Sequence, residues 1–305
     1  MAMTTSSALS TPTRTFIYGL ADDNGHVDTE FLYAAADVAG FSSTKLRLAL
    51  KRMVDAGLAS SNGRGRKAVT QLTAAGLADR SPELAWVGAA YRADAGLDPW
   101  DGIWHLASFE IPERQRAARD AVRTQIVELF GGQLSGGLYV SPLGWEPWIL
   151  AVAAEHDVVD RITLIKTTSL THAGTSDQAQ IAAHVWPVQD VHEGYTAFVT
   201  RWRSEIDSLP SDPLDAVRVA FDAAYEFEAT FRRDPMLPSA VAPEHFAGPA
   251  ARQLFLEMLD ALRAHPELAD ASLFTAYRNT VDRALAMKQP DFWSAAFADT
   301  INAPA

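Results

Sequence analysis

"VDTEFLYAAADVAGFSSTKLRLALKRMVDAGLASSNGRGRKAVTQLT", residues 27–73, decides how the N-terminal part of this chain folds. Its first half reads as a helix with Asp28 or Thr29 near its start and Gly40 just past its end. Ser42 or Ser43 then caps a second helix that stops at Gly57. Leu46, Leu50, Met53 and Val54 recur at helical spacing and form its expected buried stripe. At roughly 100° per residue, Thr44, Lys45, Leu48, Lys51 and Arg52 fall on the opposite side, with Arg47 at the edge. Two short extended stretches follow around "NGRGR", where Gly63 and Gly65 suit a hairpin tip crowned by Arg64, Arg66 and Lys67.

Upstream, "RTFIYGLA" is a short helix, and downstream "TAAGLA" starts another with Thr73 as its cap. The order helix, helix, basic helix, basic hairpin is that of a winged helix-turn-helix.

The charge of this stretch runs against that of the whole chain. The 305 residues carry 26 Lys+Arg and 38 Asp+Glu, a formal net charge of −12. Residues 1–80 hold nine cations against seven acids, and residues 42–67 hold seven against the single Asp55. A small basic reader on an acidic body engages phosphate without spreading along any polyanion it meets. We therefore read Ser43, Thr44, Lys45, Arg47, Leu48, Lys51 and Arg52, with the wing residues Arg64, Arg66 and Lys67, as the DNA-contacting set. Leu48 stands in the middle of the basic face, where a thymine methyl is a fitting neighbour, although single exposed leucines are common.

Composition excludes several classes. No apolar run approaches the roughly 18 residues that span a bilayer. The opening "MAMTTSSALSTPTR" lacks the layout of a secretory leader and reads as a disordered tail, so a cytoplasmic protein is expected. Cysteine is absent, which removes disulfides, thiolate metal sites and cysteine nucleophiles. The histidines never take a ligand spacing such as HxxxH, and no phosphate loop, dinucleotide fingerprint or nucleophile elbow occurs. No metal, no cofactor and no enzyme activity are expected.

The rest of the chain divides into a connector over 81–97, a middle domain over 98–175 and a helical domain over 176–300. "GIWHLASFEIP" is a strand, "ERQRAARDAVRTQIVELFGG" an amphipathic helix with Ala118, Val122, Ile126 and Leu129 inward, and "QLSGGLYVSP" a second strand. "WEPWILAVAAEH" is a helix and "RITLIKTTSL" a further strand. This order suggests a ferredoxin-like layer with helices on one face of a sheet. Helices over 189–209, 213–233 and two later segments, one with Pro249 at its start, complete an α+β chain.

Three stretches resemble the PaaX-like family of transcriptional regulators, named for the repressor of phenylacetic acid degradation. They are "WDGIWHLASFEIPERQRAARDAVRTQIVELFGGQLSGGLYVSP" (100–142), "VWPVQDVHEGYTAFVTRW" (185–202) and "RRDPMLPSAVAPEHFAGPAARQLF" (232–255). With the winged helix over 14–80, the likeness covers residues 14–285. The chain departs from the pattern at Phe246–Ala247, where Trp–Pro is usual, and at Ala242, where Leu is usual.

The resemblance implies a Cas2-like middle domain, a homodimer on palindromic operator DNA, and repression of an aromatic or carboxylic acid catabolic operon. It also implies release by an acyl-CoA such as phenylacetyl-CoA. A thioester of that kind needs cations for its phosphates and an apolar slot for its acyl group. Arg201, Trp202, Arg232 and Arg233, with Trp104, are the candidate effector residues.

Two rivals remain. Cas2 nucleases carry an acid at the end of the first strand, where Glu110 stands here, although an ion pair to a helix arginine such as Arg114 is the better account of that residue. The winged helix also suits a protein-interaction module.

Overall fold

A computed structural model describes residues 12–63 and 69–289. It divides the chain into two compact units. Of the described residues, one comprises 12–63, 69–92, 194–232 and 247–288, the other 93–193, 233–246 and 289.

The first unit begins with α1 (Pro12–Gly19), β1 (His26–Val27), α2 (Thr29–Val38), α3 (Ser43–Asp55), β2 (Ala59–Asn62) and β3 (Val69–Leu72). The strands form an antiparallel sheet in the order β1-β3-β2. This is the winged helix-turn-helix topology. Of the two candidate caps for each helix, Asp28 accepts from the Phe31 amide at 3.0 Å and Ser42 from the Lys45 amide at 3.2 Å.

The stretch expected to be a connector is helix: α4 runs from Ala74 to Asp94. "SP" at 81–82 reads as a break, because proline removes one helical hydrogen bond and clashes with the preceding turn. Tertiary burial overrides it, for Ala85, Val87, Ala90 and Tyr91 are all buried. Gly76 lets the start of α4 approach the corner after α3. A Cβ there would stand 1.9 Å from the Leu58 carbonyl oxygen. Gly76→Ala forces the backbone apart and costs about 1–3 kcal/mol. A urea titration of the variant reads that as a lowered midpoint.

The same unit holds most of α8 (Val188–Asp207), with α9 (Pro213–Phe231), α10 (Gly248–Ala264) and α11 (Thr275–Ala286). The winged helix packs into this bundle, and α2 lies against α9. Phe16 of α1 meets Phe221 of α9 at 4.3 Å between ring centroids, and Phe221 meets Phe274 at 4.8 Å. Phe227 stacks on Phe255 at 4.5 Å. Two polar ties join the ends of the fold: the Phe274 amide donates to the Gly19 carbonyl at 2.6 Å, and Asn279 donates to Asp23 at 2.5 Å. The buried Arg92 donates to the Ala284 and Met287 carbonyls and so satisfies the end of α11.

The second unit is built on β4 (Trp104–Phe109), α5 (Arg116–Glu128), β5 (Gly132–Ser135), β6 (Leu138–Ser141), α6 (Glu146–Glu155) and β7 (Ile162–Thr167). All pairs are antiparallel, and the strand order is β5-β6-β4-β7. That is the split βαβ arrangement of ferredoxin-like folds. The stretch read as a single strand over "QLSGGLYVSP" is a hairpin, β5 and β6, turning at Gly136–Gly137. Each arm is only four residues long, too short to show its own alternation.

One face of the sheet carries α5 and α6, with Ala118, Val122, Ile126, Ile149 and Ala153 buried. The other carries Trp104, Leu106 and Val140 against Ile181, Ala182 and Trp186, the first two from α7 (Gln178–Val185). α7 was not anticipated from the sequence.

His105 lies buried in the central strand, and its Nδ1 is 2.6 Å from the Glu146 carboxylate. Lys166 of β7 reaches the same oxygen at 3.6 Å. Burial pushes the Glu146 carboxyl up, but the hydrogen bond from His105, the backbone amide and the charges of His105 and Lys166 outweigh it. The net shift is downward. A carboxyl depressed in the folded state stabilises the fold above its unfolded pKa, and that stabilisation is lost as pH falls through the folded value. Glu146→Gln is therefore less stable than the wild type at neutral pH by about 1–2 kcal/mol. The gap closes as acid takes the pH below the ordinary glutamate range, and thermal melts across pH 3–8 (roughly the span around that range) read the convergence.

Candidate nucleic-acid interface

α3 presents its charges outward, with Leu50 half-buried on the inner side. Leu46 and Met53 are buried, while Thr44, Lys45, Arg47, Leu48, Lys51 and Arg52 are exposed. Ser43 opens the helix and is exposed as well. Leu48 keeps 46% of its surface in solvent at the centre of this face. Val54, placed in the buried stripe on spacing, is 38% exposed and borders the face on the Arg47 side. Its i+8 offset from Leu46 carries it to the margin of the stripe.

No acid stands in the first turn of α3, so the positive end of the helix dipole adds to the cations there. The lone acid of the face, Asp55, clasps Lys51 at 2.5 Å. Both side chains are more than half exposed, so the pair is worth under about 1 kcal/mol and opens readily for a phosphate.

The wing residues Arg64, Arg66 and Lys67 lie outside the described residues. The described strands on either side pair directly, Asn62 with Val69, and Val69 is 55% exposed. The N-terminal tail over 1–11 also lies outside the described residues.

The candidate effector residues divide between the two units. Trp104 is buried in the second unit, edge-on to Trp100 at 5.2 Å. Arg233, in the same unit, pairs with Asp190 at 3.6 Å. Arg201, Trp202 and Arg232 belong to the first unit. Arg201 lies over the Trp202 ring, and both donate to Glu226, at 2.9 and 3.0 Å. Arg232 pairs with Glu228 one turn earlier. Each guanidinium thus already meets a carboxylate, which sequence spacing does not reveal. Glu110 follows β4 directly and is exposed. The anticipated pair with Arg114 does not form: the Glu110 amide donates to the Arg161 carbonyl, and the nearby Glu113 takes Arg119. Among the described residues, no three His, Asp or Glu side chains gather where a metal ion could sit. No helix among them is long and apolar enough to cross a membrane.

Residues 97–182 match the PaaX protein central Cas2-like domain, and residues 186–284 match the PaaX-like protein C-terminal domain. The chain belongs to the PaaX-like family. The transcriptional repressor PaaX of Escherichia coli strain K12 is 24% identical over 253 residues, 79% of this chain and 77% of its own. An uncharacterized protein from Mycobacterium tuberculosis of known structure is 21% identical and superposes with a TM-score of 0.47, covering 80% of this chain and 86% of its own. The first match ends within α7 and the second begins just before α8, and they leave residues 1–96 outside. The case for a DNA reader at the N-terminus therefore rests on topology and charge.

Proposed function

We propose that this PaaX-family chain is a cytoplasmic DNA-binding transcriptional repressor of an aromatic or carboxylic acid catabolic operon. It acts as a homodimer, and an acyl-CoA such as phenylacetyl-CoA releases it. The observation that carries the reading is the exposed cationic face of α3, set on a chain of net charge −12. The printed function of the Escherichia coli relative supports it.

In this reading the N-terminal residues of α3 enter the major groove. Thr44 and Leu48 meet base edges, while Lys45, Arg47, Lys51 and Arg52 engage phosphates and bases. The wing cations anchor the flanking backbone. One recognition helix reads too few bases to be specific, and a two-fold dimer reads a palindrome. Because α2 packs on α9, an effector that shifts the helical bundle carries the reader with it. The effector releases DNA only by binding the released form more tightly.

The test is a gel-shift titration on the intergenic DNA upstream of the chain's own gene, with and without phenylacetyl-CoA. A specific shift lost with the thioester supports reader and effector together. A specific shift indifferent to it removes that effector. Cleavage of the probe, abolished by Glu110→Ala, would replace this reading with a nuclease.

A further inference from the structure

The two edges of the four-stranded sheet are treated differently. The β5 edge is covered: a Cβ on Gly132 would stand 2.0 Å from Val185, and Trp186 donates to the Phe130 carbonyl. The β7 edge pairs only with β4 among the described residues. The Glu110 amide donates to the Arg161 carbonyl, which fixes the phase of the ladder. Arg161, Thr163, Ile165 and Thr167 therefore turn their backbone groups toward β4. Ile162, Leu164 and Lys166 turn theirs outward.

Unpaired edge groups of this kind are a template for another strand. The side chains around them are apolar, with Ile165 at 46% and Val159 at 45% exposure, and Ile162 and Leu164 half-buried.

We propose that β7 pairs antiparallel with β7 of a second copy of this chain, about a two-fold axis through Leu164, to make one continuous sheet. The inference rests on the repressor reading only in needing a homodimer.

The sequence of the strand is self-complementary about that axis. Leu164 meets the partner's Leu164, Ile162 meets the partner's Lys166, and Thr163 meets the partner's Ile165. All three outward residues then exchange both backbone bonds. No like charges stand opposite each other.

The chain has no cysteine, which makes the test clean. Leu164→Cys sets two thiols opposite each other at about 5.5 Å between Cα atoms, within disulfide range. Copper-catalysed oxidation is expected to give a covalent dimer from Leu164→Cys and none from Val127→Cys, whose native side chain is 56% exposed on α5. By sedimentation the wild type is a dimer, and Ile165→Lys, on an exposed position, weakens it about tenfold by placing charge in the seam. A wild-type dimer whose Leu164→Cys form stays uncrosslinked, or whose Ile165→Lys form keeps its dimer constant, overturns this surface and leaves the homodimer standing. A monomeric wild type overturns both.

Discussion

Arg47→Ala combined with Arg52→Ala lowers affinity for the upstream DNA by about 2–6 kcal/mol, counting about 1–3 kcal/mol for each good base or charged contact. If the two arginines hold phosphates instead, the logarithmic salt slope falls by about one unit for each. Both side chains are exposed on α3, so the thermal midpoint of the variant should match the wild type. Fluorescence anisotropy on labelled DNA at several salt concentrations separates the two modes. An unchanged affinity and an unchanged slope would mean that this face meets something other than DNA.

The second large effect lies in the bundle that carries the reader. Phe227→Ala costs about 3–5 kcal/mol. The ring is 3% exposed and touches Tyr195, Phe198, Phe231 and Phe255 at centroid distances of 4.5–6.0 Å. Nothing nearby collapses easily into the space, because its neighbours are themselves rings held edge-on or stacked. For a body of this size the melting midpoint drops by roughly 6–20 °C. The winged helix packs on the same bundle through Phe16 and Phe221, so DNA binding disappears at the lowered midpoint and not at the wild-type one. Phe227→Leu keeps most of the volume and costs far less. Circular dichroism and anisotropy melts, run side by side, show whether reader and bundle are lost together.

The winged helix was legible in the sequence because its signals are local. Caps, helix-ending glycines, a period of apolar residues and a run of cations all sit within a few residues of one another. What escaped depended on contacts distant in sequence. α4 continues through Pro82 because packing, not propensity, holds it. The contact between Phe16 and Phe221 folds the winged helix into one unit with α9, and nothing in either segment announces the other. The β5–β6 hairpin hid in arms of four residues. Val54 sat at the margin of a stripe, where spacing alone does not decide burial. Arg201, Arg232 and Arg233 look like free cations in the sequence, yet each meets a carboxylate that only the fold supplies. The same limit explains why a candidate reader could be read residue by residue and an effector pocket could not.

The most direct test of the central claim is a site-specific photo-crosslink to DNA. A benzophenone is attached to Leu48→Cys, at the centre of the α3 face, and to Tyr225→Cys, whose native side chain is 63% exposed on α9. On the upstream intergenic DNA, the account predicts crosslinking from position 48 and none from position 225. Crosslinking from 225 alone, or none from 48 while the DNA still shifts, would contradict it.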